Sequence, residues 1–282
     1  MAEGTWGRAP DGDLRSYRQD RFEAGGRARE VYRKGHGPAV LVLTEMPGIS
    51  PQVVGFADRL VHLGCTAVLP DLIGTAGRDP LAGGKLAWAL YQLRSMGYAC
   101  LSREFLVFAT GRTSPIVGWL RALAAAEHSR CGGPGVGVVG MCFSGGFALA
   151  MAVDPRVLAP VMAQPGGPLP VTPGRRRAVD CSPADLDCVA HRCRRDGLRV
   201  LGLRFKGDPF VPAERFALLR EKLGDGFLAV ELDPADRNPA GPLPRPHSVL
   251  TGDLVDQPGT PTRAALDRVL DLIRTTLLGE TP

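Results

Sequence analysis

Among the seven cysteines of this chain, one stands in a setting built for nucleophilic chemistry. Residues 135–153 read GVGVVGMCFSGGFALAMAV. An apolar run leads into Gly140-Met141-Cys142-Phe143-Ser144-Gly145-Gly146 and straight out into small residues of helical character. A strand that turns directly into a helix through glycines is the thiol form of a nucleophile elbow. The turn is sharp, so its flanks must lack bulk. It aims the Cys142 thiol out of the top of a sheet and sets it near a helix N-terminus, whose dipole favours a thiolate. The backbone N–H of Phe143 then points where an oxyanion would form. Ser144 is the other candidate nucleophile, but it lies two positions too late in the turn. The competing reading, a buried thiol with only a packing role, is weakened by the strand before and the helix after.

A thiol nucleophile needs a base, and hydrolases built on such an elbow place an acid and then a histidine later in the chain. Of the five histidines, His36, His62 and His128 precede the elbow. His191 falls inside a charged helical stretch, where a solvated face is the simpler explanation. His247 lies in a proline-rich loop after the last strand-like run and is the expected base. The acid follows from the segment Lys206-Gly207-Asp208-Pro209-Phe210-Val211-Pro212, which ends a strand-like run. An Asp in a Gly/Pro turn at a strand C-terminus sits at the open end of a parallel sheet, where ligands bind. Asp208 is expected to orient His247 and stabilise its imidazolium form.

The elements that must position these residues are legible as an alternation. Apolar runs at 39–44, 65–69, 135–139, 157–163, 198–205 and 227–232 read as strands. Helical periodicity covers 51–63, 115–129, 145–153, 183–195, 213–223 and 262–278. Residues 1–29 read as a polar, Gly-rich tail, and 71–110 as a mixed helical excursion around 86–93. Residues 164–178 read as a loop, and 233–246, with five prolines, cannot be regular. Strands separated by helices predict an α/β fold: one domain over 30–282 with a mainly parallel sheet and helices on both faces. At 282 residues, 44% hydrophobic and 22% charged, the chain is an ordinary globular one. Its net charge of +5 is thinly spread and only 6% of residues are aromatic, so nucleic acid is not an expected partner. No run of eighteen apolar residues predicts a membrane span. The polar start is unlike a signal peptide and the cysteine spacing unlike a disulfide framework, which places the expected location in the cytoplasm. Cys181, Cys188, Cys193 and His191 lack metal-ligand spacing, so neither metal nor organic cofactor is expected.

GMCFSGG, KGDPFVP and PHS, in this order, resemble the dienelactone hydrolase family of α/β-hydrolases over roughly residues 30–280. The resemblance implies the α/β-hydrolase fold and gives Thr44-Glu45-Met46-Pro47-Gly48 a meaning. It implies that Glu45 modulates the Cys142 proton and that the Met46 N–H completes an oxyanion hole with that of Phe143. In that family, arginines hold a substrate carboxylate. The position four residues after the histidine is Thr251 here, and Arg103 is the residue that the resemblance implies as a substrate contact. The expected activity is a cysteine-dependent hydrolysis of a small-molecule ester or lactone through a thioester. Acyl transfer or ring closure by the same triad, and a non-catalytic binder on the same fold, are the alternatives.

Overall fold

The structure is a computed structural model that describes residues 11–80, 82–102, 104–106, 110–241 and 243–280. Eight strands form one sheet: β1 (Arg18–Ala24), β2 (Arg27–Gly35), β3 (Ala39–Leu43), β4 (Thr66–Pro70), β5 (Val136–Met141), β6 (Val157–Ala163), β7 (Val200–Phe205) and β8 (Phe227–Leu232). Their spatial order is β1-β2-β4-β3-β5-β6-β7-β8. From β4 to β8 all pairings are parallel, whereas β1–β2 and β2–β4 are antiparallel. The helices are α1 (Pro51–His62), α2 (Gly84–Leu101), α3 (Ile116–Cys131), α4 (Gly145–Met151), α5 (Pro173–Arg177), α6 (Pro183–Asp196), α7 (Ala213–Leu223) and α8 (Pro261–Ile273).

The central strands are apolar throughout because both faces are covered. Along β3, Ala39, Leu41 and Leu43 enter one core with side chains of α3, α4, α6 and α7. Val40 and Val42 enter the opposite core, with α1 and α8. That two-residue alternation is what lets a continuous apolar run serve two layers at once. The helices begin where the sequence supplies caps. Ser50 accepts from the Val53 N–H ahead of α1 and Ser182 from the Asp185 N–H ahead of α6, each followed by a proline in the first turn.

The mainly parallel, doubly covered sheet is as expected, and the differences lie outside its centre. The second half of the polar segment 1–29 is not a loose tail: residues 18–24 pair with β2 across Gly25 and Gly26, both at positive φ. Gly-Gly suits such a tight hairpin. The strand is hard to see in the sequence because it is an edge strand with mostly polar side chains. Its Phe22 ring still packs edge-on against Trp119, 5.4 Å away. Helix α2 runs to eighteen residues, longer than its periodicity suggests, and the loop at 164–178 contains the short helix α5. No described helix is long and apolar enough to cross a membrane.

Candidate active site

Cys142 directly follows β5 at φ +55°, a left-handed conformation that costs a non-glycine residue about 1–3 kcal/mol. Close backbone contacts hold it there. A Cβ on Gly140 would stand 2.3 Å from the Ser144 carbonyl oxygen. One on Gly145 would stand 2.7 Å from Cα of Pro165, and one on Gly146 2.7 Å from Cβ of Asp180. The residue two positions after the thiol is Ser144 rather than glycine, and its side chain turns inward. Its hydroxyl accepts from the Met141 N–H at 2.9 Å and lies 2.9 Å from the carbonyl oxygens of Leu43 and Met141. Fully buried, Ser144 ties the elbow to the end of β3.

His247 and Asp208 meet from loops 39 residues apart in sequence. Nδ1 of the imidazole lies 2.7 Å from Oδ2 of Asp208, and the other carboxylate oxygen accepts the Phe210 N–H at 2.9 Å. Both side chains are buried, and the Phe210 ring packs edge-on against the imidazole at 5.4 Å. A carboxylate at Nδ1 fixes the proton there and leaves Nε2 for chemistry. Nε2 is buried and has no hydrogen-bond partner. Burial opposes a charge on the ring, but the negative charge of a Cys142 thiolate and the bond to Asp208 outweigh it and hold the imidazole pKa well above its usual value.

The loop that carries His247 is anchored by Asp253, which sequence reasoning missed. Its Oδ2 accepts the N–H groups of both His247 (2.8 Å) and Ser248 (3.0 Å). Proline-rich loops have few internal hydrogen bonds, so a nearby buried acceptor is the expected remedy. That was the available signal.

Glu45, at the end of β3, is buried beneath the same loop. Its carboxylate accepts from Gln164 Nε2 (3.1 Å), from the Ser248 hydroxyl (2.8 Å) and, closely, from the Thr251 hydroxyl. These bonds hold it against Gln164, Ser248 and Thr251. Gln164, at the end of β6, also accepts the Val249 N–H. Gln164 does not announce itself in the sequence, and Ser248 enters it only as the last residue of the PHS stretch. Met46 follows Glu45 and packs, half-buried, against the core. Its loop is meshed with the one after β4: a Cβ on Gly48 would stand 2.3 Å from the Ile73 oxygen, and one on Gly74 1.8 Å from the Pro47 oxygen. Gly166 donates its N–H to the Cys142 carbonyl at 2.8 Å. A Cβ there would sit 3.5 Å from Sγ and 3.8 Å from the Phe143 nitrogen, so glycine keeps the space in front of both clear.

Arg103 lies outside the described residues. A cavity of about 640 Å³ opens between α2 and the loop after β4, with Arg29, Arg78, Arg94 and Tyr91 on its walls. Among the described residues no group of three or more His, Cys, Asp or Glu side chains is arranged to hold a metal ion.

A sequence model of the dienelactone hydrolase family matches residues 27–226, which include Cys142 and Asp208 and stop short of His247. Several solved structures share the fold. A dienelactone hydrolase-like promiscuous phosphotriesterase from metagenomic libraries superposes with a TM-score of 0.58 at 18% identity, covering 93% of this chain and 98% of that one. A cold-adapted esterase from an Arctic intertidal metagenomic library gives 0.56 at 16% identity, over 97% and 99% of the two chains. A structure described as a putative dienelactone hydrolase from Klebsiella pneumoniae subsp. pneumoniae gives 0.54 at 14% identity, over 90% and 96%. No curated protein matches the chain.

Proposed function

We propose, from the premise that the chain belongs to the dienelactone hydrolase family and is a hydrolase of ester bonds, that it cleaves small carboxylic esters or lactones with Cys142 as nucleophile. The observation that carries this reading is the buried His247–Asp208 pair, whose Nε2 is left without a partner in the field of a strained, glycine-framed Cys142.

In this mechanism the Cys142 thiolate attacks the substrate carbonyl carbon, and the carbonyl electron pair moves onto oxygen. The Phe143 and Met46 N–H groups receive that oxyanion, each worth about 3 kcal/mol of barrier. Collapse expels the alkoxide, which takes the proton from Nε2 of His247 and leaves a thioester. Water, deprotonated by the same nitrogen, then attacks the thioester carbonyl and returns Cys142 as thiolate with release of the acid. Asp208 holds the ring and balances its charge throughout. Thiolates leave readily from tetrahedral intermediates, so activated esters and enol lactones suit this site better than amides.

The test is p-nitrophenyl acetate turnover followed with intact-mass spectrometry. A nitrophenol burst with one acetyl adduct, located on Cys142 and absent from Cys142→Ala, is the expected result. A burst that survives in Cys142→Ala would overturn the assignment of the nucleophile. Product analysis with an added alcohol separates hydrolysis from acyl transfer.

A further inference from the structure

We infer that Arg215 is a positioning residue of this site: it locks the loop behind Cys142 and the turn bearing Asp208 into one frame. The inference rests on the Cys142–His247–Asp208 reading above.

Arg215 occupies the first turn of α7 and is fully buried. A guanidinium has five N–H donors, and here each finds a backbone carbonyl. Nε donates to Ala178 (2.7 Å), Nη1 to Pro165 (2.5 Å) and Phe210 (3.2 Å), and Nη2 to Pro168 (2.6 Å) and Arg175 (3.2 Å). Four of these carbonyls belong to the stretch after β6 and one to the turn after β7. Each stretch touches the triad. Pro165 seats on Gly145 of the elbow and leads into Gly166, which is bonded to the Cys142 carbonyl and borders its sulfur. Phe210 donates its N–H to Asp208 and lays its ring on His247. One side chain therefore fixes the distance between the nucleophile's wall and the base's support, which otherwise belong to separate loops.

Arg215 is a buried cation surrounded by dipoles. Among the described residues no carboxylate lies within ion-pair distance of it. Burial lowers its pKa to about 10, and the fields of Asp208 and then Asp180 act against that fall. Arginine still keeps its proton at neutral pH. The charge is therefore solvated by the five carbonyl dipoles instead of by a counter-ion.

Two variants grade the loss of donors. Arg215→Lys has three donors for five carbonyls. We expect its kcat for p-nitrophenyl acetate to fall about tenfold with KM within twofold. Arg215→Gln has two donors, and its kcat is expected to fall further with KM again within twofold. A role in folding alone would lower the melting temperature of both variants while leaving kcat of the folded fraction at the wild-type value, and that result overturns the inference. If wild-type Cys142 is alkylated by iodoacetamide no faster than the other thiols, the triad reading itself has failed, whatever Arg215 does.

Discussion

Two regions at the same end of the sheet are built in opposite ways. Around Cys142 and His247 the loops after β3, β5, β6 and β7 and the loop before α8 are tied by buried polar bonds through Glu45, Gln164, Asp208, Arg215 and Asp253, and glycines let backbones approach to contact. Helix α2, which spans the neighbouring cavity, presents Leu86, Leu90, Leu93 and Leu101 to solvent at 75, 60, 68 and 86% exposure. One region is specified by directional bonds, in which each removed atom leaves a buried partner stranded. The other is made of apolar side chains that mark a position without fixing one. Chemistry that needs ångström placement belongs to the first kind of construction, and the second is free to vary.

The largest expected break in this contrast is Cys142→Ala, which should lower esterase activity about 10⁴-fold in a steady-state assay and leave the circular dichroism spectrum unchanged. Asp208→Asn should approach that loss, because the amide no longer fixes the His247 proton on Nδ1. Retention of more than a tenth of the activity by Asp208→Asn would mean that another group orients His247. Gly166→Ala is the finer probe of the cleared space. Its methyl group would meet Sγ and the Phe143 N–H at 3.5 and 3.8 Å, so a roughly tenfold lower kcat with little change in melting temperature is expected.

A pH effect sharpens the contrast further. The Ser114 hydroxyl lies 2.6 Å from the Phe105 carbonyl oxygen and 2.7 Å from Oδ2 of Asp180, yet it has one hydrogen to give. Both contacts are satisfied when Asp180 is protonated and donates to Ser114. Burial raises the Asp180 pKa from 3.8 to about 7, in keeping with this. The folded state therefore holds a proton that the unfolded chain releases near pH 4. Asp180 stabilises the fold most at low pH, and that contribution declines as pH rises from about 4 to 7. In denaturant titrations between pH 5 and 8, Asp180→Asn should show a flatter pH dependence than the wild type. The smallest effect is expected on α2. Leu93→Lys should change stability by no more than about 0.5 kcal/mol by the same titration, since the leucine is already exposed. A loss of several kcal/mol would show that the stripe is buried in solution.

The same contrast explains what the sequence could reveal. Cys142, Asp208 and His247 stand in turns whose glycines and prolines mark strand ends, and their chain order is itself informative. Asp253, Gln164 and Arg215 act on backbone groups or on residues far away along the chain: Gln164 meets Glu45 across 119 positions. No local pattern encodes such contacts. The resemblance placed Glu45 beside the thiol, but its bonds to Thr251, Ser248 and Gln164 depend on how three separate loops converge. The parallel centre of the sheet was legible because burial on both faces demands continuous apolar runs. Strand β1 was not, because its pattern serves an edge, and α2 was blurred because its leucines are not confined to a buried face.

That edge has a practical consequence. Among the described residues, strand β1 has no neighbour beyond β2, so one row of its backbone N–H and C=O groups is an open template for stacking a second copy. Four of its seven residues, Arg18, Asp20, Arg21 and Glu23, are charged, and Arg33 of β2 pairs with Asp20 from the adjacent strand. A second chain joining here would have to strip water from those groups and match their signs. The polarity that hid this strand from a reading of the sequence is the same property that disfavours edge-to-edge stacking along the sheet.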